Sequence, residues 1–242
     1  NYQHRYYVDA TPAVSDAYFN NRWNTVLVGG LRGGGKGLYA LNITEPDILG
    51  SAAIAASQVM WEFSHPDLGH SYGEPIIAPL GNASGIEWYV IVSNGYNDDS
   101  GGPHDGQAQL FIIKLSGPGS DKQWDLGQDY YVLSTGNQTL GTDSQNGLSP
   151  AQVVDYNGDK IADRVYAGDL FGNLWAFDLR GQASSWSSRT PQKLFTTSNN
   201  QPITARPDVA FNPNMPFNDE TSPNLMVIFG SGQYLVNADK AS

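Results

Sequence analysis

Short apolar runs recur along the chain between polar, glycine-rich stretches, and their spacing carries a fourfold internal repeat. Four segments place Pro at or near the head of an apolar strand: Thr11-Pro12-Ala13-Val14, Glu74-Pro75-Ile76-Ile77, Ser149-Pro150-Ala151-Gln152 and Arg206-Pro207-Asp208-Val209. A strand tolerates Pro at its first residue, where no ladder donor is lost. Each segment is followed by a β-rich run closing on small residues: Val26-Leu27-Val28-Gly29, Val90-Ile91-Val92-Ser93-Asn94-Gly95, Val165-Tyr166-Ala167-Gly168 and Val227-Ile228-Phe229-Gly230. After a glycine-containing turn the chain resumes with Leu38-Tyr39-Ala40-Leu41-Asn42, Leu110-Phe111-Ile112-Ile113, Leu174-Trp175-Ala176-Phe177-Asp178 and Tyr234-Leu235-Val236. The first three units add a fourth strand: Val59-Met60-Trp61-Glu62-Phe63, Tyr130-Tyr131-Val132-Leu133 and Lys193-Leu194-Phe195-Thr196.

The pattern predicts an all-β chain, a β-propeller of four-stranded antiparallel blades. The blades fall at approximately residues 8–66, 72–135 and 148–198, with a partial fourth at 203–242, all within a single domain. The period of roughly 57 to 75 residues exceeds that of compact propeller repeats. The excess lies in polar connections such as Asn94 to Gln109 and Thr135 to Leu148, which read as surface loops. Three blades and part of a fourth do not close a ring of the usual ~4–8 blades, so a section of a larger propeller is expected. The competing arrangement is a β-sandwich of similar strands.

Composition narrows the function. A net charge of −11 repels nucleic acid phosphates and anionic lipid, and suits a protein that collects cations. Cysteine is absent, which excludes disulfides, thiolate zinc sites and cysteine nucleophiles. No apolar run approaches the ~20 residues that cross a bilayer, so no membrane span is expected. The sequence opens at Asn1 without a charged and apolar leader, and a signal peptide is expected to have been removed or to lie upstream.

One motif carries sharp chemistry. Asp155-Tyr156-Asn157-Gly158-Asp159-Lys160-Ile161-Ala162-Asp163 sits between the first two strands of the third blade. Side-chain oxygens recur at its positions 1, 3, 5 and 9, from Asp155, Asn157, Asp159 and Asp163, and Ile161 offers its carbonyl at position 7. Ca²⁺ takes six to eight oxygens, and alternate residues of a tightly wound loop supply that kind of set. Three carboxylates held close repel one another until a cation arrives, so metal binding and loop ordering are expected to be coupled. The loop is not an EF-hand, because Tyr166 occupies the position of the bidentate Glu and strands flank it. Lys160 stands where Gly usually makes the turn, so a positive φ is expected there.

Other motifs read as structural. Gly30-Leu31-Arg32-Gly33-Gly34-Gly35-Lys36-Gly37 imitates a phosphate-binding loop, but Gly37 replaces the Mg²⁺-holding Ser or Thr and a strand follows instead of a helix. Asn97, Asp98, Asp99 and Asp105 crowd one loop as a weaker candidate for a second cation. His65 and His70 lack zinc-helix spacing. No nucleophile elbow and no acid–base pair stands out, so no enzyme activity is expected.

Several stretches resemble the C-terminal propeller of type IV pilus tip adhesins, the PilY/PilC family. They include His4-Arg5-Tyr6-Tyr7-Val8-Asp9, Trp23 through Leu41, Gly73-Glu74-Pro75, Ser93 through Asn97, and the long run Asp155 to Asp178. Gln201 through Pro207 and Gly230 through Leu235 are also similar. The resemblance implies a non-enzymatic, calcium-binding protein at the pilus tip and cell surface. It implies roles in pilus biogenesis, twitching motility and attachment to host cells or abiotic surfaces, with minor pilins and surface ligands as partners. It also implies that calcium in this loop, held by Asp155, Asn157, Asp159, Asp163 and the Ile161 carbonyl, regulates pilus extension against retraction. Two other readings compete: a quinoprotein dehydrogenase, to which Ala167 through Asp178 has a blade-motif likeness, and an integrin-like ligand-binding propeller, whose calcium loops recur in several blades.

Overall fold

The computed structural model describes residues 2–45, 52–82, 85–96, 106–137, 140, 145–215, 223–235 and 239. Three four-stranded antiparallel sheets follow one another in chain order, each a meander. The first comprises β1 (Ala13–Phe19), β2 (Arg22–Gly30), β3 (Leu38–Asn42) and β4 (Val59–Phe63). The second comprises β5 (Ile76–Asn82), β6 (Gly85–Ser93), β7 (Gln109–Lys114) and β8 (Tyr130–Ser134). The third comprises β9 (Gln152–Val154), β10 (Arg164–Gly168), β11 (Asn173–Asp178) and β12 (Gln192–Thr196), and β13 (Asp208–Phe211) with β14 (Leu225–Ile228) forms a two-stranded remainder. This is the expected all-β partial propeller. Pro12, Pro75 and Pro207 each stand immediately before a first strand, and Pro150 two residues before, so no ladder donor is lost.

Period-two alternation explains why the sheets stack. In the second blade Val90 and Val92 of β6 and Phe111 and Ile113 of β7 join a core with Val26, Val28, Trp61 and Phe63 of the first blade. The intervening Tyr89, Ile91, Leu110 and Ile112 join a second core with Val165, Phe177 and Trp186 of the third. The middle blade is therefore apolar on both faces, which is why β6 and β7 read as continuous hydrophobic runs. Each such fully buried side chain contributes about 1.5–3 kcal/mol. A partly exposed pair such as Lys114–Glu87 at 2.8 Å contributes about 0–1 kcal/mol. Packing between blades, rather than ion pairing, holds the array.

The outward faces lack that cover. Val14, Tyr18 and Trp23 are exposed on the first blade, and Met226 and Ile228 on the remainder, as an open section of a ring requires. Two details depart from the sequence reading. The alanine-rich stretch before β4 forms a short helix, α1 (Ala52–Ser57), because local Ala propensity prevails in a connection outside the sheets. Tyr234 and Leu235, expected in a third strand, lie outside any strand and are exposed, and Val236 lies outside the described residues.

Repeated latches join the blades. The links entering the second and third blades and the remainder each bridge to a residue one to four positions past the second strand there, as His70 to Tyr96, Leu148 to Asp169 and Ile203 to Gly232. Asn94 reinforces one latch, its Oδ1 accepting the N–H groups of Gln109 and Leu148, both at 3.0 Å. Asp169 is completely buried and reinforces the next.

Candidate metal centre

The β9–β10 hairpin carries Asp155 to Asp163. Its end is fixed by the blade: the Asp163 N–H donates to the Val154 carbonyl at 2.9 Å, and its own carbonyl accepts the Leu179 N–H at 2.8 Å. The Ala162 N–H donates to the Pro79 carbonyl at 3.0 Å, docking the loop on the second blade.

Within the loop, side-chain oxygens accept from the main chain a few residues onward. Asp155 Oδ1 accepts the Gly158 N–H at 2.7 Å and Oδ2 the Lys160 N–H at 2.8 Å. Asn157 Oδ1 accepts the Asp159 N–H at 2.9 Å, and Asp159 Oδ1 the Ile161 N–H at 2.8 Å. These Asx turns wind the chain tightly. They hold Gly158 at φ 81° and Lys160 at φ 72°, the left-handed region expected for Lys160 from the sequence. For a residue with a Cβ that conformation costs about 1–2 kcal/mol, offset here by the turns around it.

Asp163 is 5% exposed, and its Oδ2 accepts the Tyr156 N–H at 3.1 Å. Burial pushes its carboxyl up to about 6; the Tyr156 N–H opposes the shift, and the charges of Asp159 and Asp155 reinforce it. Asn157, Asp159, Ile161 and Asp163 line one cavity of about 300 Å³ together with Arg180. Asp155 is not in that lining; its oxygens face the Gly158 and Lys160 N–H groups. Arg180 is forked onto Asp178, Nε to Oδ1 at 2.9 Å and Nη2 to Oδ2 at 2.7 Å. Among the described residues no Lys or Arg forms an ion pair with Asp155, Asp159 or Asp163. Among the same residues the acids do not converge as a group of three or more metal-ligating side chains.

Sequence reasoning missed the framing of this loop by Pro79, Tyr156 and Arg180. Only the Asp178-x-Arg180 spacing hinted at a local ion pair. Asn97, Asp98, Asp99 and Asp105 lie outside the described residues. His65 packs edge-on against Phe111 and Tyr130, and His70 Nδ1 lies 2.6 Å from the Arg32 carbonyl oxygen.

Stacked four-stranded blades, latched link by link and bearing an acidic hairpin, define a section of a β-propeller. Residues 1–242 match the family model described as the PilY1 beta-propeller domain. The type IV pilus biogenesis factor PilY1 of Pseudomonas aeruginosa PAO1 is 36% identical over 261 residues, covering 98% of this chain and 20% of the relative. A PilY1 homolog of Xylella fastidiosa is 34% identical over 255 residues, covering 100% of this chain and 16% of the relative. The crystal structure of the Pseudomonas aeruginosa PilY1 C-terminal domain superposes with a TM-score of 0.69 at 34% identity, covering 96% of this chain and 46% of that one. The chain belongs to the PilY1 β-propeller family of type IV pilus biogenesis factors and spans a fifth or less of these curated relatives. No helix among the described residues is long and apolar enough to cross a membrane.

Proposed function

We propose that this propeller binds one Ca²⁺ in the Asp155–Asp163 hairpin and serves a pilus tip-associated adhesin at the cell surface, where calcium regulates pilus extension against retraction. Twitching motility and attachment to host or abiotic surfaces follow from that control, with minor pilins as the pilus partners. The observation that carries the reading is a docked loop of three carboxylates with no cationic side chain paired to them among the described residues. Asp155, Asn157, Asp159 and Asp163 through their side chains, with the Ile161 carbonyl, form an all-oxygen set, the chemistry a hard cation takes. Bound calcium would supply two positive charges against three negative ones. The residues themselves fix the turn, keep Asp163 from bulk water and dock the hairpin on the second blade through Ala162 and Pro79.

Protonation sets the pH window. Asp163 must release its proton to ligate, so calcium affinity is expected to be level above about pH 7 and to fall up to about tenfold per unit below about pH 6. The calcium-free chain has the opposite sign. Its folded state holds this proton more tightly than the unfolded chain, so Asp163 favours the fold in acid and loses that contribution as pH rises through about 6. Melting curves with calcium and with chelator across this window read both trends. At the level of function, Asp159→Ala in the full-length protein is expected to uncouple surface pilus number and twitching from external calcium. Wild-type calcium dependence in that strain would overturn the proposal.

A further inference from the structure

We infer that the pocket beside Arg32 recognises a carboxylate carried on an apolar or aromatic body, independently of the acidic hairpin. Arg32 begins the turn within the glycine-rich connection from β2 to β3, with φ 49°. The Leu31 N–H donates to the Gly37 carbonyl at 3.1 Å, the Gly34 N–H to the Leu31 carbonyl at 2.8 Å, and the Gly35 N–H to the Arg32 carbonyl at 3.4 Å. Three of the connection's main-chain donors are thereby consumed, and the Arg32 side chain lines the neighbouring cavity.

That side chain is held in place without an anion. Its guanidinium carbon lies 5.0 Å from the Tyr72 ring centroid. Tyr72 stacks on Tyr96 at 5.8 Å, and the Tyr96 hydroxyl donates to Ser149 Oγ at 3.0 Å. In a chain with 24 acidic and 13 basic side chains, Arg32 forms no ion pair among the described residues, and its Nε is buried with no hydrogen-bond partner. A buried donor without an acceptor is destabilising, and a ligand oxygen relieves it.

The space around it has ligand dimensions. A cavity of about 460 Å³ is lined by Arg32, Tyr72, Tyr96, Pro150, Thr204 and Tyr234. Tyr72, Pro150 and Thr204 come from the links into successive sheets, and Arg32, Tyr96 and Tyr234 from the segments that follow β2, β6 and β14. Small-molecule sites run from ~300 to ~1,000 Å³, well beyond what an inorganic ion fills. One guanidinium fork matches one carboxylate, whereas a phosphate dianion would meet a single cation in a chain of net charge −11. The tyrosine rings supply the apolar wall for the body behind the carboxylate.

Saturation-transfer NMR and titrations on the 242-residue chain test this with phenylacetate, phenylacetamide, inorganic phosphate, and the tripeptide Gly-Gly-Phe with a free or amidated carboxy terminus. Both free acids are expected to bind saturably, in chelator as in calcium, while the amides and phosphate do not. The tighter of the two acids identifies the source, a small acid or a peptide terminus. Arg32→Gly, which the left-handed backbone accommodates, is expected to weaken binding about tenfold or more with an unchanged melting curve. Should that variant unfold, Arg32→Lys, which keeps charge but loses the fork, supplies the same comparison with a smaller loss. Absence of saturable acid binding, amides or phosphate binding as well as acids, or binding that survives loss of the guanidinium would each overturn the assignment.

Discussion

Replacing Asp169 by Ala is expected to abolish cooperative folding of the chain. The carboxylate is 0% exposed and accepts five hydrogen bonds. Oδ1 takes the N–H groups of Phe171 at 2.9 Å and Asn173 at 2.8 Å. Oδ2 takes Asn146 Nδ2 at 3.0 Å, Asn173 Nδ2 at 2.9 Å and Trp175 Nε1 at 2.8 Å. Each donor left without an acceptor costs about 1–3 kcal/mol, so the sum rivals the ~5–15 kcal/mol by which a typical domain is stable. Asp169→Asn keeps the shape and one acceptor but turns an NH₂ toward donors, so an intermediate loss is expected. Urea denaturation followed by tryptophan fluorescence orders the three proteins. Near-equal stability of Asp169→Ala and the parent would show that the network carries little of the fold.

Gly95→Ala is expected to be nearly as severe, through geometry instead of polarity. Gly95 sits at φ 75°, and a Cβ there would fall on the His70 carbonyl and within 2.7 Å of Ser71 Cα. Both obstacles are backbone, so the His70–Tyr96 latch, with hydrogen bonds of 2.7 and 3.1 Å, must open to make room. The adjoining Gly95 N–H to Leu148 carbonyl bond, at 3.1 Å, is strained with it. Together these losses are expected to exceed ~3 kcal/mol. Gly158→Ala is the control, because its φ of 81° is similar but nothing lies within 4 Å of the added Cβ. Only the cost of about 1–2 kcal/mol for the left-handed backbone is expected there. Thermal melts in chelator compare the two, and equal losses would show that the latch is not what Gly95 protects.

The blades were legible because each buried run is both apolar and short. Val90 through Val92 and Leu110 through Ile113 announce strands buried on two faces without any knowledge of their neighbours. The same logic failed where context decides. Tyr234 and Leu235 have strand-like character, yet no described strand pairs with them, and they stay outside the sheets. The helix Ala52–Ser57 hides in a loop because its length falls below what periodicity detects. Asp169 and Arg32 were beyond sequence reasoning for a different reason. One is exceptional for its burial and five donors, the other for a cavity and an unmet Nε, and neither property exists until distant segments meet. In the acidic hairpin the positive φ at Lys160 could be read, whereas docking through Pro79 could not.

Calorimetric titration of calcium into this chain at neutral pH, beside its Asp159→Ala variant, is the most direct test of the central claim. Saturable binding of about one ion per chain, lost in the variant, is the expected result. No binding to the parent chain, or equal binding to both proteins, would contradict a calcium site in the Asp155–Asp163 hairpin.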